Sequence, residues 1–134
     1  MAFVHGKSGY VNLDDTGGTA RDISAYCDNV DFPETIETAE TTAFGATSKS
    51  YIVGLRDATI SISGKWDATL DGYMIGTEPA SRTWIFGPAG STGGNVKYTG
   101  EAIMTNYSVS TSVSDVVTFS ADLQVTGNVT RTTF

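Results

Sequence analysis

Between Asp57 and Asp67 the chain alternates strictly: Ala58, Ile60, Ile62, Gly64 and Trp66 share one parity, and Asp57, Thr59, Ser61, Ser63 and Lys65 the other. A period of two puts the first set on one face of a pleated strand and the second on the opposite face. The β-branched Ile and Thr suit that half-buried surface. Gly64 leaves a gap between Ile62 and Trp66, which predicts a bulge or room for the neighbouring indole. Farther on, Val117, Phe119, Ala121, Leu123 and Val125 alternate with Thr118, Ser120, Asp122, Gln124 and Thr126 just as cleanly. These two strands supply the expected core residues Ile60, Ile62, Trp66, Val117, Phe119 and Leu123.

Shorter strands are expected at Phe3-Val4, at 9–14, over 25–32 and at 82–88, with turns at 14–19 and 89–95 rich in Gly, Asp and Asn. Pro33 closes the 25–32 segment because it lacks a backbone donor. Tyr51 to Leu55 is expected to bring the chain back to the core. Asp67 can cap a helix over 67–75, whose Leu70, Tyr73 and Met74 form a narrow apolar stripe and whose stop is Gly76. From Val96 to Met104 the apolar parity is even, and from Tyr107 it is odd. That phase change predicts a β-bulge. Seven or eight strands and one short flanking helix make this an all-β chain, mainly an antiparallel β-sandwich or barrel.

Residues 34–50 follow neither period. They carry several Thr and three Glu, with Ile36 and Phe44 as the large apolar groups. So long a polar segment is either a surface loop or an arm that orders against a partner. The Thr-rich end, from about residue 127, reads as a mobile tail.

At 134 residues the chain fits a single domain, 1–134, able to bury a core without disulfides. The longest apolar runs are too short to span a bilayer, and residues 1–20 lack an apolar signal core, so synthesis in a cytoplasm and no membrane insertion are expected. The net charge of −7, with basic residues scattered, argues against ordinary nucleic-acid binding. Chemistry is thin: His5 and Cys27 are the only residues of their types, and neither Gly17-Gly18 nor Gly93-Gly94 precedes a Lys-Ser or Lys-Thr pair. The inventory points away from an enzyme, a metal or a cofactor. A different class, a small carbohydrate- or surface-binding module, would use Tyr10, Trp66, Tyr73, Trp84 and Tyr98 for stacking.

The runs Asp22 to Tyr26, Glu37 to Gly45 and Gly54 to Gly64, in that order, resemble the tail tube (major tail) proteins of long-tailed bacteriophages, by motif over the first half and by element order over the rest. The resemblance implies a virion tail protein made in the host bacterial cytoplasm. It would form hexameric rings that stack into a tube around a tape measure protein, contact terminator and baseplate proteins, and pass DNA as cargo. Related folds occur in type VI secretion tubes and in tail terminator and hub proteins, so a terminator or hub role is the nearest alternative. On this reading the arm contacts other subunits or rings through Ile36, Glu37, Thr38, Glu40, Thr41, Thr42, Phe44 and Lys49. The polar faces of the long strands, with Thr59, Ser61, Ser63, Glu101 and Asp122, would line the lumen. A ring of six would carry a formal −42, six times −7, which repels passing phosphates.

Overall fold

The computed structural model describes residues 3–75 and 81–134. The chain forms β1 (Tyr10–Asp14), β2 (Ala20–Asp22), β3 (Cys27–Asp31), β4 (Glu34–Glu40), β5 (Tyr51–Lys65), α1 (Ala68–Met74), β6 (Arg82–Gly87), β7 (Val96–Ser110) and β8 (Thr118–Thr133). The pairings are antiparallel, in the order β2-β1-β6-β7-β8-β5-β3, with β4 also on β5. Among the described residues the sequence therefore forms an all-β fold with one short helix.

The sheet curls over its apolar face, bringing the β3–β4 corner onto β6 and β7. Phe32, at the corner between β3 and β4, packs on Trp84 and Tyr98 with ring centroids 5.3 and 5.4 Å away. Inside lie Val11, Leu13, Ala58, Ile60, Ile62, Trp84, Phe119, Leu123 and Val125, joined by Leu70 and Met74 of the helix. Asp67 caps α1 by accepting from the Thr69 N–H at 2.8 Å. At the other end the buried Arg82 guanidinium donates to the Tyr73 and Met74 carbonyls, at 3.1 and 3.0 Å. It thereby satisfies acceptors that a seven-residue helix leaves open. Gly76, the expected stop, lies outside the described residues.

Strands β3 and β4 follow one register on β5, Asp31↔Ser61 continuing as Glu34↔Ala58, with Pro33 between them accepting from the Thr59 N–H. Gly64 faces the irregularity in β3 between Cys27 and Asn29. A methyl there would overlap the Tyr26 carbonyl, so backbone rather than indole fills the gap. The register of β7 on β8 slips between Met104 and Asn106, where the apolar parity changes.

Three expectations are corrected. Phe3 and Val4 precede a single 3-10 turn instead of forming a strand, and both are exposed. Tyr51 to Leu55 does not return to the core: Ile52, Val53 and Leu55 are 59%, 75% and 77% exposed. Residues 127–133 are not a tail but the outer half of β8, paired with β7 as far as Val96↔Thr133. Phe134 is pinned as well, donating to Asn95 O and meeting Tyr10 edge-on at 5.5 Å. Thr-rich sequence suits both a solvated tail and a β-strand, and only the partner strand decides.

Candidate functional site

Two surfaces stand out. The first is an arm. Tyr51 to Asp57 of β5 leaves the core and pairs with β4 through Glu34↔Ala58 to Glu40↔Tyr51, forming a hairpin exposed on both faces. Its tip is stitched locally: Thr41 N donates to Ser50 O, Thr42 Oγ1 accepts from Ser50 N, and the Thr41 and Ser50 hydroxyls lie 2.8 Å apart. Gly45 turns the tip with φ +86°, a conformation that costs glycine little. Arg56 and Glu34 pair at 3.2 Å near the base. Glu37 sits at the register shift between Ile36 and Thr38, and Gly54 gives it room, since a Cβ there would lie 3.1 Å from the Glu37 Cβ.

Ile36, Glu37, Thr38, Glu40, Thr41, Thr42, Phe44 and Lys49 therefore all lie on one projecting hairpin, and all are exposed. Sequence reading missed its other half, Tyr51, Ile52, Val53 and Leu55. The available signal was the loss of alternation before Asp57: a strand apolar at successive positions presents apolar groups on both faces.

The second surface is polar. Ser61 pairs with Asp122, which pairs in turn with Asn106, and Asp31 completes that row. The next row is Asn29, Ser63, Ser120 and Ser108. Thr59 and Gln124 lie beside Ile103, and Glu101 joins Thr83 to Thr126. Thr59, Ser61, Ser63, Glu101 and Asp122 thus share one outward face, with Glu101 and Asp122 exposed. Asn106 Nδ2 donates to Asp122 Oδ2 at 3.3 Å.

The core residues fall on the opposite face. Ile60, Ile62, Phe119 and Leu123 are buried, whereas Trp66 and Val117 are half-buried, because both lie just past the paired strands where the helix and the β7–β8 turn begin. Trp66 Nε1 donates to Asp71 Oδ1 at 3.2 Å, as does the Tyr107 hydroxyl at 2.9 Å. Burial, and then the hydrogen bond to Asp71 and its charge, push the Tyr107 phenol up to about 12. Burial likewise pushes the Cys27 thiol up to about 12, so it stays protonated and unreactive at neutral pH. The rings considered for sugar stacking are engaged elsewhere: Trp84 is buried, and Trp66, Tyr73 and Tyr98 pack against the core. Among the described residues no helix is long and apolar enough to cross a membrane.

No family model and no curated protein sequence matches the chain. Solved structures do. A chain in the virion of a native gene transfer agent (GTA) particle superposes with TM-score 0.74 at 16% identity, covering 97% of this chain and 99% of that one. A chain in the tail of an empty GTA particle, refined with sixfold helical symmetry, gives 0.73 at 16% identity with the same coverage. The SPP1 tail tube subunit gives 0.74 at 13% identity, covering 98% of this chain and 80% of that one. At these identities the likeness is one of fold, and it spans nearly the whole chain.

Proposed function

We propose that this protein is a structural subunit of a phage-type tail, self-assembling into hexameric rings that stack into a tube through which DNA passes. The observation that carries the reading is the arm: a hairpin whose apolar side chains are largely exposed among the described residues, in a fold shared nearly end to end with tail structures. Exposed apolar surface of that extent marks an interaction site. Ile36, Phe44, Tyr51, Ile52, Val53 and Leu55 are its anchors, and a neighbouring copy supplies the cover. The polar face with Ser61, Ser63, Glu101 and Asp122 serves as the lumen wall, where small hydroxyls and like charge give DNA little to hold. In the particle the tube would surround a tape measure protein and end on terminator and baseplate proteins, and the subunit's work is assembly, not catalysis.

Electron microscopy of the purified protein across a concentration series tests this. Rings or tubes of uniform diameter are the expected result. A protein that stays monomeric at millimolar concentration would overturn it.

A further inference from the structure

Strands β5 and β8 run side by side from Lys65↔Thr118 to Thr59↔Gln124, and there they part. Because β3 and β4 keep a single register, they occupy the same flank of β5, and β8 takes the other. Beyond the fork no strand among the described residues pairs with the β8 flank of Tyr51–Ala58. Among the described residues Val125–Thr133 likewise pairs with β7 alone. The fork is a built feature. The Gln124 side-chain amide sits at its apex, donating to Asp57 Oδ1, Ala58 O and Val125 O at 2.7, 3.1 and 3.3 Å. Gly127, with φ +79°, turns β8 just beyond it. Between the walls lies a groove of about 520 Å³ floored by Leu55, Ala58, Val125 and Val129.

A groove walled by unpaired strand edges accepts a strand, because its backbone N–H and C=O groups are satisfied by another backbone. The arm of a second copy fits the requirement. The flank of β4 away from β5 is itself an open edge among the described residues, seven residues long against the nine of Val125–Thr133. Its charge is complementary. Glu37 and Glu40 have no ion-pair partner among the described residues, and the outer end of the β7–β8 pair carries Lys97 and Arg131. Ile36 is exposed on β4, and the groove floor offers the apolar surface that such a side chain needs.

We infer that the open edge of β8 at Val125–Thr133 is the receptor for β4 of a second copy's arm, so that subunits join by strand addition in the fork. This rests on reading the protein as a self-assembling tube subunit, and it names the surface that receives the arm. The test uses intermolecular disulfides. In a Cys27→Ala background, Thr35→Cys or Thr38→Cys protein is mixed with Thr130→Cys or Thr132→Cys protein, assembled and oxidised, so that a mixed dimer reports a contact between copies. The same samples are imaged by electron microscopy. A mixed dimer from at least one pair is expected, in tubes. A mixed dimer without tubes leaves the fork contact standing and removes the tube reading. Tubes with no mixed dimer from any pair overturn the fork contact alone, and neither product overturns both. As a second measurement, Arg131→Glu should raise the concentration needed for assembly roughly fivefold, with Glu40→Lys in the same chain restoring it. An unchanged threshold for Arg131→Glu would also overturn the charge pairing.

Discussion

Individual side chains and glycines set the limits of this fold where the sequence pattern gives no warning. Arg82 falls on the inward parity of β6 beside Trp84, and burying a charge is costly unless its hydrogen bonds are met. They are met by the end of α1, so Arg82→Leu leaves the Tyr73 and Met74 carbonyls unsatisfied and should cost about 3 kcal/mol. A lower urea midpoint with unchanged slope would show it. Gly64→Ala forces a methyl onto the Tyr26 carbonyl, and a loss of about 3 kcal/mol or more is expected by the same assay. Cys27 and Tyr107 predict the alkaline limit. Each is raised, from 9.0 and 10.0 respectively, so the folded state favours the neutral form. Their contribution is fully present below pH 9.0 and is lost as pH climbs towards about 12. Melting temperature should fall through that window, and Cys27→Ala should delay the onset of the fall relative to the parent. The Gly64 gap was legible as an anomaly in the alternation, whereas the group filling it was not, because Tyr26 is remote in sequence.

Strand β5 shows how far alternation can be read. From Asp57 to Lys65 one face meets a core and the other meets solvent, so a period of two survives and the inward and outward positions were legible there, though the strand starts earlier, at Tyr51, and stops short of Trp66. From Tyr51 to Leu55 the same strand meets no core on its own subunit. Its apolar run then looks like a buried strand when it is an exposed arm. The bulge in β7 was legible for the converse reason, because the core stays on one side and the sequence must change phase to follow it. Lys49, near the arm tip, gives an assay. The stitching around Thr41 and Ser50 orders the hairpin only weakly, so trypsin should cut free subunits after Lys49. Assembled protein should resist. Leu55→Ser should slow assembly and leave the melting temperature of the free subunit within about half a kcal/mol of equivalent stability, since Leu55 covers nothing in it. Equal cleavage in the two states would mean that the arm remains outside every interface.

At the scale of the molecule, the arm and the β7–β8 turn stand at opposite ends of β5, whose fourteen steps span roughly 45 Å. The arm exposes Phe44, Ile52, Val53 and Leu55, and the other end exposes Val109 of β7 with Val113 and Val116 of the turn. Two different apolar ends suit head-to-tail contact, the kind that builds rings and filaments rather than closed pairs. Between those ends the polar face runs across β3, β5, β8 and β7, with Ile103 on β7 as its one apolar break among the described residues. Its Asp122 sits between Ser61 and Asn106, accepts from Asn106 Nδ2 and has no ion-pair partner among the described residues, so a Lys at that position breaks no salt bridge. If this face is the lumen wall, six such lysines per ring convert a repelling surface into a retaining one without touching the core behind it. Asp122→Lys and Glu101→Lys subunits should therefore fold and assemble normally, while particles built from them release DNA more slowly, with the delay shrinking as salt rises. DNA ejection timed by dye fluorescence at two ionic strengths measures both effects. Ejection at the parental rate from both variants would place Glu101 and Asp122 on the outside of the tube.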